Sequence, residues 1–148
     1  MSPLRGLLGG SGDPEGVALL VDGPNCFREE FDVDLADLKR AGEGIGRLAV
    51  ARVYLDDGAP SGLVRAVEAH GFEVVVTSGD VDVRLAVDAV DLACDAGLGT
   101  LAVVSRDADF KPALEAASRR GLRTVAIAPG EHGRSAGLAN AADEALTL

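Results

Sequence analysis

Lysine is nearly absent from this chain. Lys39 and Lys111 stand against twelve arginines, and 24 acidic residues bring the formal net charge to −10 over 148 residues. A field of that sign repels polyanions at long range, which counts against a module that grips nucleic acid through a basic patch. Acidic, lysine-poor composition also suits a salty cytoplasm, where the repulsion would be screened over a short distance. Aromatic residues are scarce as well, at 3% with no Trp, so the core must be built from Val, Leu and Ala. No apolar run approaches the ~18 residues of a membrane span, and no membrane partner is expected. The opening Met1-Ser2-Pro3-Leu4-Arg5-Gly6-Leu7-Leu8 lacks the long apolar segment and cleavage signature of a secretory signal. Residues 1–16 read as a flexible lead-in to one domain over residues 17–148. The two cysteines, Cys26 and Cys94, sit in apolar patterns and read as reduced core thiols of a cytoplasmic protein.

What is present is an alternation of short apolar runs with helical patterns. Val17 to Val21 is a continuous apolar run, as in a strand buried on both faces. Asp22-Gly23-Pro24-Asn25 turns the chain into a helical region, with a possible break near Phe31-Asp32-Val33. Asp34 caps a helix over Leu35 to Ala41, which the glycines from Gly42 to Gly46 end. Leu48 to Leu55 is the second strand, closed by Asp56-Asp57-Gly58. A short helix runs from Pro60 to His70, with Gly71 as its cap. Phe72 to Thr77 is the third strand. The helix from Asp82 to Ala96 carries two apolar stripes, one through Val83, Val87, Val90 and Cys94 and one through Leu85, Ala89 and Leu92. That predicts burial on two sides, which does not require a second copy although a homo-oligomer stays open. Leu101 to Ser105, a helix from Asp107 to Arg120, a fifth strand over Arg123 to Ala128 and a final helix from Ser135 to Ala145 complete the chain. Such alternation predicts an α/β fold with a parallel sheet covered on both faces.

In open sheets of this kind, sites form beyond the carboxyl ends of the strands. Asp22 follows the first strand, Asp107 and Asp109 follow the fourth, and Asp82 opens the helix leading to it. Gathered carboxylates repel one another, and a divalent cation removes that cost. Hard oxygen ligands point to Mg2+ or Mn2+, with Asn25 adding a neutral oxygen or a donor at the same rim. Each acid has a plainer role open to it. Asp22 and Asp82 could cap helices, and Asp107 and Asp109 could complement a helix dipole. Asp88 shares a polar stripe with Asp91 and Asp95, which fits a solvated face. Asp56 and Asp57 are expected one strand away from the crevice.

Three stretches carry a resemblance. Asp22-Gly23-Pro24-Asn25 resembles the D-G-x-N signature of NYN domains, a branch of the PIN-like nuclease superfamily. The segment from Val81 to Asp88 resembles that family's V-D-x-x-L-x-x-D helix, and Ser105-Arg106-Asp107-Ala108-Asp109-Phe110 with Pro112 resembles its S-G-D-x-D-F-x-P element. The resemblance implies a Rossmann-like three-layer sandwich with a five-stranded parallel sheet of order 3-2-1-4-5. It also implies metal-dependent cleavage of single-stranded or structured RNA, with Asp22, Asp82, Asp107 and Asp109 as the acidic cluster, Asn25 in support and Asp88 as a possible additional acid. Two positions depart from the pattern: Gly79-Asp80 stands where a basic residue is common before the helix, and Arg106 replaces a glycine. Arg28, Arg84 and Arg106 are the expected phosphate contacts. The reading is a ribonuclease that acts through a metal-activated water, or else a non-catalytic metal- or RNA-binding module on the same fold.

Overall fold

The computed structural model describes residues 16–27, 33–95, 97–130 and 135–148. The expected lead-in lies almost wholly outside them, as do Arg28 and the expected helical break. The elements run in the order β1 (Val17–Asp22), α1 (Gly23–Cys26), α2 (Leu35–Ile45), β2 (Leu48–Asp56), α3 (Ser61–Ala69), β3 (Glu73–Thr77), α4 (Val81–Ala93), β4 (Thr100–Val104), a 3-10 turn over Ala108–Phe110, α5 (Lys111–Arg119), β5 (Arg123–Ala128), α6 (Ala136–Ala141) and β6 (Glu144–Thr147). All strand pairs are parallel, in the order β3-β2-β1-β4-β5-β6.

The expected order is present with a sixth strand added beyond β5. The expected final helix stops at Ala141, and Glu144–Thr147 leaves it for the sheet. Long-range bonds explain the change. Asp143 accepts from Thr124 N at 2.9 Å, Thr124 Oγ1 accepts from Asp143 N at 3.0 Å, and Arg123 pairs with Glu144.

The central strands are apolar because both of their faces are covered. β1 and β4 are buried at every position. On one face Ala18, Leu20, Leu101 and Val103 pack beneath Leu85 and Ala89 of α4, Leu114 of α5 and Leu138 of α6. On the other, Leu19, Val21, Ala102 and Val104 pack beneath Cys26, Leu38 of α2 and Val67 of α3. Fully burying one such Val or Leu is worth about 1.5–3 kcal/mol. With no Trp in the chain, Tyr54 and Phe110 are the largest fully buried side chains among the described residues.

Three helices differ from expectation. α2 continues through Gly42 to Ile45, because Gly42 is where the helix meets the sheet. A Cβ there would stand 2.7 Å from Leu19 Cδ2 and 3.0 Å from Leu48 Cδ2, so any larger residue would have to displace those side-chain tips. α4 is buried on one side: Val81, Leu85, Ala89 and Ala93 face the core, while Val83 and Val87 are 59% and 53% exposed and Cys94 is exposed as well. The stripe through Val83 and Val87 is therefore a surface stripe beside the edge strand β3, and of the two thiols only Cys26 is in the core. The helix expected from Asp107 begins instead as the 3-10 turn, with α5 starting at Lys111.

Candidate functional site

Parallel strands all end at one rim, and the register sets which residues reach it. β1 lies between β2 and β4, so Asp22, at the last position of β1, is flanked by Tyr54 of β2 and the segment that leaves β4. Gly23 then lets the chain turn tightly against β2, since a Cβ there would overlap the Tyr54 carbonyl oxygen. Pro24 starts the short α1.

Asp22 does not cap that helix. Its carboxylate is buried, and Oδ2 accepts from Asn25 Nδ2 at 2.5 Å and from Ser105 Oγ at 2.9 Å. Burial pushes the Asp22 carboxyl above its ordinary range. The bonds from Asn25 and Ser105 pull it back, and the charge of Asp107 adds to the rise. Asn25 thus acts as a donor to Asp22, while its Oδ1 accepts from Arg106 Nε at 3.4 Å. Arg106, where the family pattern has glycine, is anchored at the lip of the site.

Ser105 ties the two strand ends together. It donates to Asp22 and accepts from the backbone N–H of Asp107 at 3.0 Å. Asp107 in turn accepts from Asp109 N at 2.8 Å and so caps the 3-10 turn. Both the dipole-type role and the crevice position are present at once. From the facing helix, α4, Asp82 comes in from the first turn, because Asp80 and not Asp82 occupies the N-cap position.

Asp82, Asp107 and Asp109 each bring a ligand oxygen within 4.8 Å of the other two. The donor set is all carboxylate, which suits a hard cation. Asp22 lies outside this trio and joins it through Ser105 and the Asp107 charge. The crevice, of about 330 Å3, is lined by Asp22, Asn25, Asp56, Asp80, Asp82 and Asp107 among others.

Two of those acids were not expected there. Asp56 reaches the crevice from the end of β2, and Asp80 from the position before α4. Both follow the rule that strand carboxyl ends share a rim, which was a usable signal. The expectation that Asp56 stands too far away is overturned.

The remaining expected residues lie elsewhere. Asp88 is not on a solvated face and lines no part of the crevice: its side chain is 13% exposed and accepts from Tyr54 Oη at 2.7 Å and Arg84 Nε at 3.2 Å. Arg52 Nη1 approaches it at 3.7 Å. Arg84 is thereby engaged with Asp88 beside Val76, Val83 and Val87, in a groove next to the crevice. Arg28 lies outside the described residues.

The chain is similar to known proteins in sequence and in fold. The family model for the NYN domain matches residues 16–148. An uncharacterized protein of Methanocaldococcus jannaschii is 42% identical over 132 residues, a match covering 89% of this chain and 55% of that protein. The chain therefore spans about half the length of that relative. The crystal structure of a protein of unknown function from Vibrio parahaemolyticus superposes with a TM-score of 0.78 at 22% identity, covering 90% of this chain and 93% of that one. At that identity the likeness concerns the fold, and it is the three-layer parallel fold described above. The domain model takes in every strand and every acid of the crevice, and the chain belongs to the NYN domain family, within the PIN-like nuclease superfamily.

Proposed function

We propose that this chain is a divalent-metal-dependent ribonuclease. One observation carries the reading: Asp82, Asp107 and Asp109, from two separate segments, converge to within 4.8 Å at the carboxyl end of the sheet. Fold stability alone does not call for three carboxylates so close together, since each is easier to ionise apart. They would hold Mg2+ or Mn2+, which when bound lowers the pKa of a coordinated water and stabilises charge on the phosphoryl oxygens.

The chain's own residues prepare that chemistry. Asn25 and Ser105 orient the Asp22 carboxylate beside the trio. Asp22, with its pKa raised by burial, is suited to take up the proton of the attacking water. The Ser105–Asp107 bond fixes the turn that carries two of the three ligands. Arg106, held beside the crevice by Asn25, offers a cation to a phosphate approaching its five aspartates. Single-stranded RNA is the expected substrate class.

The test uses the full chain with Mn2+ and a labelled single-stranded RNA. Asp82→Asn and Asp107→Asn should lower cleavage by at least about 100-fold, the scale of losing a key transition-state contact. Circular dichroism should show both variants folded. Mn2+ at about 100 times its Kd should stabilise the unsubstituted chain by about 2.7 kcal/mol and stabilise the variants less. Undiminished cleavage in both variants would refute the proposal. Metal-induced stabilisation with no cleavage of any RNA would instead assign the chain to a non-catalytic metal-binding module.

A further inference from the structure

A second cavity lies beside the acid crevice and differs from it in character. It has a volume of about 500 Å3 and is bounded by the carboxyl-terminal halves of β5 and β6 and by α6. Its described walls are mostly aliphatic and uncharged, with Ile127, Leu138 and Leu146 among the alanines. Ala126, Ala128, Ala139 and Ala145 line it, with hydroxyl groups from Ser105 and Ser135. Among the described residues none that lines it is charged, whereas the crevice brings together five aspartates.

Ser105 links the two spaces by hydrogen bonds to two residues of the crevice. It lines the cavity, donates to Asp22 and accepts from the Asp107 amide. Neighbouring strands are about 4.8 Å apart, so the cavity floor on β5 and β6 begins about one strand spacing from the end of β4. That is the reach of a ribose carrying its base away from a phosphate held at the crevice.

We propose that this cavity is a nucleobase subsite, which seats the base of a nucleotide adjoining the scissile phosphate. The inference rests on reading the acid crevice as an RNA-cleaving site. Its own support is the chemistry of the walls. Among the described residues no cation lines it to meet a phosphate, while a flat, weakly polar base loses little on leaving water for aliphatic surfaces. The volume falls within the ~300–1,000 Å3 of small-ligand sites. Ser135 Oγ accepts from Leu138 N, which leaves its proton to donate to a base edge. Because hydroxyls both donate and accept, the subsite tolerates different bases. It also resolves a difficulty of the overall charge. A chain of net charge −10 cannot draw RNA in by its field, and burying a base supplies affinity that does not depend on charge.

The experiment titrates the full chain, without metal, with adenosine, uridine and ribose while backbone amide NMR shifts are followed. The nucleosides should move the Ala126, Leu138 and Ala145 amides, and ribose should not. Ala139→Leu fills the cavity and Ala136→Trp narrows its rim from an exposed position; each should abolish those shifts. Against RNA with Mn2+, each should lower kcat/KM by about tenfold or more, a change of about 1.4 kcal/mol. Hydrolysis of methyl p-nitrophenyl phosphate, whose leaving group is not a base, should stay within about twofold. Three results would overturn the subsite: no nucleoside shifts at about 10 mM, where even millimolar binding registers; shifts that persist in both variants; or ribose acting as well as the nucleosides. If the chain cleaves no RNA, the ribonuclease reading falls and the metal-free titration still decides the subsite.

Discussion

Ser105 donates its hydroxyl proton to Asp22 across 83 positions of sequence, at 2.9 Å. The bond joins the ends of β1 and β4, and everything at the site is arranged around it. On one side it steadies a buried carboxylate. On the other, Ser105 accepts from Asp107 N and fixes the turn that carries Asp107 and Asp109.

The first prediction concerns pH. Burial holds the Asp22 carboxyl above its ordinary value, so the folded chain keeps that proton to higher pH than the unfolded chain does. Its contribution to stability is complete below the unfolded pKa and is lost as pH rises through the folded one. Asp22→Asn removes this loss. In metal-free urea denaturation, the stability of the variant relative to the unsubstituted chain should be greater at pH 7 than at pH 4, by about 1 kcal/mol, the ordinary size of a single stabilising change. A relative stability that falls over that interval contradicts the assignment.

Tyr54 and Asp88 set up a second test. Tyr54 is fully buried, and its phenol pKa is pushed well up by burial and then by Asp88, so it stays a donor throughout the working pH range. Tyr54→Phe leaves a largely buried carboxylate one donor short. The expected cost is about 2 kcal/mol, as for a hydrogen bond to a charged group. The reading is a lower urea midpoint with an unchanged m-value. A loss below about 0.5 kcal/mol would mean that Arg84 and Arg52 already satisfy Asp88.

Gly23 and Gly62 form a contrasting pair. A Cβ on Gly23 overlaps the backbone of β2, which cannot yield as a side-chain tip can. Gly23→Ala should cost about 1–3 kcal/mol, the usual penalty of overpacking. Gly62, in the first turn of α3, meets nothing within 4 Å. Gly62→Ala should gain about 0.4–1 kcal/mol by restricting the unfolded chain. Thermal melts of both variants check the sign as well as the size.

Much of the fold was legible in the residues. β1 and β4 are recognisable because strands covered on both faces need continuous apolar runs, here Val17–Val21 and Leu101–Val104. The acids Asp22, Asp82, Asp107 and Asp109 were legible because parallel strands leave their carboxyl ends at one rim. What periodicity could not separate was an apolar stripe that packs from one that does not. Val83 and Val87 repeat at helical spacing as Leu85 and Ala89 do, yet only the second pair meets the sheet. The same ambiguity placed Cys94 in the core, where it is not.

The chain's local chemistry by itself determined the alternation of the first five strands with helices and the parallel sheet, and it marked Asp22, Asp82, Asp107 and Asp109 as candidates, since each follows from patterns a few residues long. Tertiary structure decided which of those acids meet. It brought Asp56 and Asp80 to the crevice and took Asp88 away to Tyr54, because register across the sheet and the rotation of α4 are set by packing. It also took Glu144 and Ala145 from the expected end of the final helix into a sixth strand over Glu144–Thr147. Helix propensity there is worth a few tenths of a kcal/mol per residue, and the bonds from Thr124 and Arg123 outweigh it. Such bonds connect residues about twenty positions apart, and no local pattern records them.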